Sequence, residues 1–356
     1  MRILIVSHAP LATELGAAQI ALNLASALRD RGHDALAWSP EPLPPGAGRW
    51  NPWQAQRRAL EGFVAGHGPF DVIDTPATTA GSGLGRRTTL VVRSIQPELL
   101  YLWQDMRRPL SPRSMAHALI AAPRVAAILA GWRRASLILC MGEIELSWMA
   151  RRFPRWQGKL GSYVCAPSPA ERPALIEVRR RRPAGLESEG VRFLWIGRWA
   201  AHKGTGRLVR WIAERAAAAP RDTFTLAGCG SAAERDLPPE WLRSGRVRLV
   251  PTFTRTELPA LLADHDAGVF TSTVEGWGLS LNEMLESGMP VFASEAGGVT
   301  DLRPYFPESL RPFPPPATIE LPVVREDLEA NGYLARFNWA AIAESYEEAV
   351  LASHAG

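Results

Sequence analysis

Short apolar runs alternate with helical periodicity along the whole chain, and this alternation constrains the fold more than any other feature. The run RILIVS at 2–7 precedes a segment in which Ile20, Leu24 and Leu28 recur at helical spacing and which ends at Gly32. Buried strands that alternate with amphipathic helices are typical of α/β proteins, because parallel strands need helical crossovers between them. The predicted strands are 2–7, 35–39, 72–74, 89–93, 137–141, 193–197, 224–227, 247–250, 268–271 and 290–293.

The chain is long enough for two units of this kind, because 356 residues exceed what one hydrophobic core usually supports. Residues 166–190 are rich in Pro, Arg and Glu and lack a regular period, so we interpret them as an interdomain linker with solvated arginines at 179–182. The sequence therefore predicts an α/β protein of two Rossmann-like doubly wound domains, 1–170 and 171–336. These domains face a cleft, where ligands bind at the carboxyl ends of the strands.

Several classes of protein are disfavoured by the composition. The cysteines at 140, 165 and 229 lie far apart without CxxC spacing, which argues against a disulfide framework and against a zinc site. The N-terminal apolar run is too short for a signal peptide. The apolar region 116–132 contains a proline and an arginine and falls short of the roughly 20 residues that span a bilayer. We expect a cytoplasmic protein without a transmembrane helix.

Basic charge is concentrated in the first half of the chain. Residues 1–170 hold 19 basic and 11 acidic residues, whereas the remainder holds 21 and 25. The basic residues between Trp103 and Trp156 lie among aromatic and aliphatic ones, which fits either a solvated helix surface or a patch that contacts anionic lipid or an anionic acceptor. Nucleic acid is not expected as a partner, because no recognised binding motif accompanies the charge. The cluster consists of Arg107, Arg108, Arg113, Arg124, Arg133, Arg134, Arg151, Arg152, Arg155 and Lys159.

The stretch EGWGLSLNE at 275–283 places two glutamates around a Gly-Trp-Gly sequence, between a predicted strand and a predicted helix. Glycines allow main-chain amides to approach a ligand closely. Glu275 lies in the loop and Glu283 about one turn into the helix that begins near Leu279, so both can point at one bound molecule. A carboxylate accepts two hydrogen bonds and so suits the vicinal diol of a ribose or hexose. The alternative is that Glu283 merely faces water.

The stretch GRWAAHKG at 197–204 places Arg198 directly after a predicted strand and Lys203 before a glycine that opens a helix. Strand ends and helix N-termini both favour anions, and a guanidinium can bind phosphate through two hydrogen bonds. These two cations therefore form a candidate phosphate site. The alternative is an ordinary arginine and lysine at the surface.

A pair of glycines at 297 and 298 follows another predicted strand, in the sequence AGGVTD at 296–301. Main-chain amides in such a turn can cradle a phosphate. A plain tight turn requires the same residues, so both interpretations stay open.

Five segments of the second half, in their order and spacing, resemble the retaining nucleotide-sugar glycosyltransferases of the GT-B fold, family 4. These segments are GRWAAHKG, FTLAGCGS, VPTFTRTELPALLADHDAGVF, EGWGLSLNEMLESGMPVFAS and AGGVTDL. The resemblance implies that Glu283 holds the donor ribose and that Glu275 holds the transferred sugar, together with the amides of Gly276, Trp277, Gly278 and Leu279. It also implies that Arg198 and Lys203 neutralise the diphosphate.

The first half resembles the acceptor-binding domain of the same family more loosely. The opening of that domain looks like RILIVSH followed by Gly16 and RGHD in this chain. Gly16-Ala17 stands in place of the usual pair of glycines. The resemblance places Gly16 at the donor. After strand 89–93 many members carry a histidine near the sugar, where this chain has Ile95 and Gln96. The segment FNWAAIAESYEEAV resembles the C-terminal helix that crosses back onto the first domain, at 337–352 here.

The resemblance implies a retaining glycosyltransferase that moves a hexose from a UDP- or GDP-linked sugar to a glycan, a lipid-linked acceptor or a small molecule. We expect it to need no metal and no cofactor besides the donor, because fixed cations can stabilise the departing diphosphate and no DxD-like motif is present. The resemblance implies catalytic roles for Arg198, Lys203 and Glu275. The basic first half suggests a peripheral site on the inner face of a membrane.

Two further functions remain open from the sequence. A non-catalytic sugar-nucleotide or glycan-binding protein fits the missing histidine, and an epimerase would convert the donor without any acceptor. A nicotinamide-linked oxidoreductase is disfavoured, because the segment after the first strand lacks GxGxxG.

Overall fold

The structure is a computed structural model that describes residues 1–43, 46, 51–84, 87–95, 97–106, 112–183, 189–321 and 326–354. The chain divides into two compact units. The first comprises Met1–Cys165 and Arg336–Gly356, and the second comprises Ala166–Ala335. The sequence prediction placed the first boundary at residue 170, five residues further along the chain.

The first unit is built on a six-stranded parallel sheet of order β2-β1-β3-β4-β5-β6. The order reverses at β1, because the chain leaves β1 for β2 on one side and then returns past it to β3 on the other. The elements are β1 Arg2–Val6, α1 Gly16–Asp30, β2 Asp34–Trp38, α2 Pro52–His67, β3 Val72–Thr75, β4 Thr89–Arg93, α3 Glu98–Met106, α4 Pro112–Arg134, β5 Leu137–Met141, α5 Gly142–Arg152 and β6 Leu160–Tyr163.

The C-terminal helix α14, Trp339–His354, belongs to the first unit and contacts α1 together with β4, β5 and β6. Its apolar face is Trp339, Ile342, Tyr346 and Val350, and all four side chains are buried. These positions recur every three or four residues, which places them on one side of a helix. The predicted amphipathic face of this segment is therefore present.

The second unit is built on another six-stranded parallel sheet, of order β12-β11-β10-β7-β8-β9. Here the chain leaves β7 for β8 and β9, then crosses back to β10 on the other side of β7. The elements are α6 Arg172–Arg181, β7 Arg192–Ile196, α7 Thr205–Ala218, β8 Thr223–Ala227, α8 Ala232–Asp236, α9 Pro239–Arg243, β9 Val247–Val250, α10 Leu258–Ala263, β10 Ala267–Phe270, α11 Leu279–Glu286, β11 Val291–Ala293, α12 Val299–Leu302 and β12 Leu310–Pro312, with α13 Tyr333–Arg336 at the unit boundary.

Aromatic residues form much of the core of the second unit. Phe193 and Phe224 are register partners on β7 and β8, and their rings stack with centroids 5.5 Å apart. Trp211 of α7 packs edge-on against both rings, at 5.1 and 5.5 Å. Offset and edge-to-face arrangements of this kind add to the stabilisation from burial alone.

The fold prediction is confirmed, since both sheets are parallel and have the reversed strand order of doubly wound domains. Each predicted strand is present to within one residue at either end. The two strands that the pattern missed, β6 and β12, are short edge strands, and they carry too few apolar residues to stand out. Within the described residues, no helix is both long and apolar enough to cross a bilayer.

The interpretation of residues 166–190 as a solvated linker is wrong over much of its length. Residues 172–181 form α6 within the second unit. The Arg179 guanidinium is buried and donates to the Leu285 carbonyl at 3.0 Å, and Arg182 donates to the Ser287, His265 and Leu262 carbonyls at 3.1, 2.7 and 2.9 Å. The stretch looked irregular because arginine, although charged, contributes here as a buried donor to main-chain oxygens.

Candidate functional site

Two loops meet where the strand order of the second sheet reverses. Parallel strands β7 and β10 are neighbours, and the loops that follow them, 197–204 and 271–278, leave the same edge of the sheet. Hydrogen bonds to two carbonyls of the first loop join these loops. The Thr271 hydroxyl donates to the Lys203 carbonyl at 2.8 Å, and the Thr273 amide, the Thr273 hydroxyl and the Val274 amide donate to the His202 carbonyl at 2.8, 3.0 and 3.4 Å. Such a reversal is where open α/β sheets bind ligands.

Gly204 makes the close approach of these loops possible. Its φ is +72°, and a Cβ at this position would lie 1.8 Å from the Thr271 carbonyl oxygen. A side chain would therefore both strain the backbone and collide with the first residue of the loop after β10. The glycine of the HKG sequence is required by this contact, and it fixes Lys203 beside the second loop.

Lys203 and Glu275 form an ion pair across the two loops, with side chains only 17% and 13% exposed. The Ser272 hydroxyl also donates to Glu275, at 3.0 Å. Burial raises the pKa of the Glu275 carboxyl, but the Lys203 ammonium and the Ser272 hydroxyl outweigh burial and hold that pKa below its usual value. The two residues predicted to contact the diphosphate and the sugar thus neutralise each other here.

Arg198 follows β7 directly and is exposed. Within the described part of the chain its guanidinium takes part in no ion pair or hydrogen bond. The pKa of the His202 ring is lowered by burial and by the nearby charges of Lys203 and Arg198. Both predicted phosphate-binding cations therefore lie near His202, one paired and one open to solvent.

The glycine-rich loop turns into α11 at Gly278, whose φ is +87°. A Cβ there would lie 2.8 Å from the Phe270 ring. The intervening Trp277 is buried, and its indole N–H donates to Asn282 Oδ1 at 2.5 Å. The indole is thus committed to the interior of the unit, so donor contacts from 276–279 would come from the main chain, as the sequence predicts.

The pair of glycines at 297 and 298 packs against this same loop. The Gly298 amide donates to the Trp277 carbonyl at 2.9 Å. A Cβ on Gly298 would lie 2.8 Å from the indole, and one on Gly297 would lie 2.4 Å from the Trp277 carbonyl oxygen. Of the two interpretations left open, the structural one holds for Gly298, whose amide is already bonded and so does not cradle a phosphate.

Glu283 lies on α11 with only 2% of its surface exposed, so the alternative that it faces water is wrong. Its Oε1 accepts a hydrogen bond from Arg255, which also binds Glu171 through Nε and Nη2 at 2.8 and 2.6 Å. Burial raises the pKa of the Glu283 carboxyl, and the Arg255 charge counteracts only part of this rise. Sequence reasoning missed Arg255 and Glu171; the one signal was a basic residue within the polar loop after β9.

Gly16, the remaining predicted donor residue, begins α1 in the first unit and is exposed. It follows β1, where the strand order of the first sheet reverses. Ile95 is described, whereas Gln96 lies outside the described residues.

The second unit also matches a known family by sequence. Residues 190–304 fit the profile of the glycosyl transferases group 1 family. This match lies within the second unit. The matched stretch contains Arg198, Lys203, Glu275 and Glu283, so the resemblance to GT-B glycosyltransferases is confirmed.

Individual relatives agree with this assignment. The chain is 29% identical over 138 residues to the uncharacterized glycosyltransferase YqgM of Bacillus subtilis; the match covers 38% of this chain and 37% of that relative's length. Sucrose-phosphate synthase from Thermosynechococcus elongatus is similar over 99% of this chain and 94% of its own, with 18% identity and a TM-score of 0.64. Anabaena Alr3699/HepE, solved with UDP and glucose, is similar over 100% and 97%, with 16% identity and a TM-score of 0.53. These structures share the two-domain α/β fold.

Proposed function

We propose that this group 1 domain protein is a retaining, metal-independent glycosyltransferase, which moves a hexose from a UDP- or GDP-linked sugar to a glycan, a lipid-linked acceptor or a small molecule. The observation that carries the proposal is the Lys203–Glu275 ion pair at the strand reversal of the second sheet. Arg198 lies open beside it, and Glu283 follows on α11. This arrangement offers cations to a diphosphate and carboxylates to hydroxyl groups.

Donor binding in this scheme exchanges one ion pair for another. The Lys203 ammonium leaves Glu275 for the diphosphate, and the freed Glu275 carboxylate accepts hydrogen bonds from sugar hydroxyls. Because the pair is already largely desolvated, the protein loses little hydration free energy when the ligand replaces one partner. Arg198, whose guanidinium is exposed, adds the second positive charge.

In the transfer step, the bond between the anomeric carbon and the β-phosphate oxygen breaks, and its electron pair stays on the nucleoside diphosphate. The acceptor oxygen bonds to the anomeric carbon from the same face, and its proton passes to the departing phosphate oxygen. Lys203 and Arg198 stabilise the negative charge that develops there, which is the role a metal ion plays in other enzymes.

The scarcity of lysine allows a direct test of donor binding. Lys159 and Lys203 are the only lysines of the sequence, and all other basic residues are arginines. Reductive methylation with 13C-formaldehyde therefore labels these two ammonium groups and the N-terminus, and it retains their charge. UDP, GDP and UDP-glucose are added in turn, and the Lys203→Met variant identifies the Lys203 signal.

We expect the Lys203 signal to shift on addition of the cognate nucleotide. Lys159 is the internal control, because it belongs to the first unit, where its ammonium donates to the Ala135 carbonyl at 2.7 Å, and its signal should not move. A nucleotide that binds by calorimetry but leaves the Lys203 signal in place would refute the phosphate assignment. The absence of binding by all three probes would refute the proposed function.

Activity is then measured with the donor that binds and a panel of acceptors, with the anomeric configuration of the product read by proton NMR. Retention and unchanged rates in EDTA are expected. Inversion, or loss of activity restored by Mg²⁺ or Mn²⁺, would contradict those parts of the proposal. Binding without transfer would indicate a sugar-nucleotide-binding protein, and donor conversion without acceptor would indicate an epimerase.

We further propose that the first unit contacts an anionic membrane surface on its cytoplasmic side. Exposed basic residues on α4, on α5 and after α5 support this proposal, and the Arg155 guanidinium lies 4.0 Å from the centroid of the Trp156 ring. Arg107 and Arg108 lie outside the described residues. Binding to phosphatidylserine vesicles at low salt, but not to phosphatidylcholine vesicles, is expected; equal binding to both would contradict it. The exposed residues are Arg124, Arg133, Arg134, Arg151, Arg152 and Arg155.

A further inference from the structure

Glu171 and Arg172, at the start of α6, are linked to two glutamates of α11. These glutamates are Glu283 and Glu286, which lie one helical turn apart. Arg172 binds Glu286 directly, through Nε and Nη2 at 2.9 and 2.7 Å. Glu171 instead connects to Glu283 through Arg255, which donates to both carboxylates. Positions 283 and 286 lie on the same face of α11, so the two connections run side by side.

The two buried glutamates differ in how fully they are bonded. Both oxygens of Glu286 accept hydrogen bonds from Arg172, and Oε1 also accepts one from the Tyr333 hydroxyl at 2.7 Å. Glu283 Oε1 accepts from Arg255, whereas Oε2 accepts no hydrogen bond from any described residue. A carboxylate oxygen that no described protein group binds keeps its capacity to accept hydrogen bonds, so this oxygen suits a donor supplied by a ligand.

We propose that Arg255 is a positioning residue of the nucleotide site: it fixes Glu283 through one oxygen, anchors it to Glu171, and leaves the other oxygen charged and directed to a ligand hydroxyl. The inference rests on the proposed function, because it takes the ligand to be a nucleoside diphosphate. The bidentate contact with Glu171 fixes the guanidinium plane, so the second N–H of Nη2 meets Glu283 in a fixed direction.

The charges around Glu283 explain why a cation is needed there. Arg255 faces it from the loop after β9, Glu171 from the start of α6, and Glu286 from its own helix. Glu286 is itself bonded to Arg172 and Tyr333. Burial and both neighbouring carboxylates favour the protonated form of Glu283, and Arg255 alone among these groups opposes it.

Loss of Arg255 therefore makes nucleotide binding depend on pH. Without the guanidinium, the pKa of Glu283 rises further, and the ionised form that accepts a ligand hydroxyl is lost at a higher pH than in the wild type. Affinity is then present above this raised pKa and falls as the pH drops through it. One unit of difference in pKa corresponds to about a tenfold change in affinity.

The test compares the affinity for UDP and GDP between pH 8 and pH 6, by calorimetry, in the wild type and in Arg255→Met. The matched control is Arg192→Met. Arg192 forms an equally close pair with Asp266, at 3.0 and 2.7 Å, but at the amino ends of β7 and β10, on the opposite edge of the sheet. The titration of the ligand phosphate is common to all three proteins, so it cancels in the comparison.

We expect the affinity of Arg255→Met to fall at least about tenfold more than that of the wild type over this range, and the affinity of Arg192→Met to follow the wild type. A second readout needs no ligand: with 13C-labelled glutamate carboxyls, the Glu283 signal, identified with Glu283→Gln, should titrate at a higher pH in Arg255→Met.

The outcomes separate the inference from the proposed function. If a nucleotide binds the wild type and Arg255→Met shows the same pH profile and the same Glu283 titration, Arg255 is merely structural and the inference is overturned, while the proposed function stands. If neither nucleotide binds the wild type, both are refuted.

Discussion

The substitution Asn282→Leu tests whether a buried polar network holds the glycine-rich loop in place. Asn282 accepts from the Trp277 indole N–H at 2.5 Å and donates to the Tyr333 hydroxyl at 2.8 Å, which in turn donates to Glu286 at 2.7 Å. Asn282, Glu286 and Tyr333 are all fully buried, and Trp277 is nearly so. The network therefore links the loop of Glu275 and Gly278 to the interior of α11.

Asn282→Leu removes the acceptor of the indole N–H, and a buried donor that loses its acceptor costs about 1–3 kcal/mol. Leucine is similar in size, and the burial of its apolar side chain offsets part of this cost. We therefore expect a net loss of about 1–2 kcal/mol of unfolding free energy. Trp277→Phe removes the donor instead. In the double variant neither partner remains, so the combined loss should be about 1 kcal/mol or more below the sum of the two single losses.

The assay is urea denaturation with hydrogen exchange of the β10 and β11 amides, which reports the unfolding free energy of the second unit by itself. The contact of Asn282 with Tyr333 is lost in both the single and the double variant, so it cancels in the cycle. If the losses of the two single variants add to within about 0.3–0.5 kcal/mol, they do not interact and the network does not hold the loop.

Three further predictions concern single positions. Gly204→Ala should lower the unfolding free energy by about 2–5 kcal/mol from backbone strain and overpacking, whereas Gly206→Ala, which meets no atom within 4 Å, should be neutral or stabilising by up to about 1 kcal/mol; equal denaturation midpoints would contradict the packing argument. Lys203→Arg should lower donor affinity at least about tenfold in calorimetry, because the wider guanidinium does not replace a compact ammonium, and wild-type affinity would show that any cation suffices. Burial raises the pKa of Glu145 to about 7, so the folded state binds its proton more tightly than the unfolded state and stability falls as the pH rises from about 4.5 to 7. Glu145→Gln should therefore gain about 3 kcal/mol relative to the wild type between pH 5 and pH 8 in urea denaturation, and a pH-independent difference would refute the assignment.

Arginine shows where sequence reasoning reached its limit. The run at 179–182 has the composition of a solvated linker, yet Arg179 and Arg182 bind main-chain carbonyls of distant segments. Those carbonyls become neighbours only when α6 packs beside α11 and α10. The same holds for Arg255, whose two carboxylate partners lie 84 and 28 positions away in the chain. A local window cannot contain such partners.

Among the glycines, the sequence was informative at position 204 but not at positions 297 and 298. The sequence placed Gly204 at the opening of a helix, and α7 begins at the next residue; the structure adds the Thr271 carbonyl that Gly204 approaches. The glycines at 297 and 298 are equally conspicuous in the sequence. Their explanation is the Trp277 side chain and carbonyl, twenty residues earlier, rather than an anion.

By itself, the sequence determined the alternation of strands and helices, the parallel sheets, and the segments that carry Arg198, Lys203, Glu275 and Glu283. These features follow from local periodicity and from glycine and charge at strand ends, all of which are properties of neighbouring residues. Only the tertiary structure decided which charges are paired: Lys203 with Glu275, and Glu283 with Arg255. Pairing depends on distances between segments far apart in the chain, and burial sets the strength of each pair, so both arise only once the sheet has assembled.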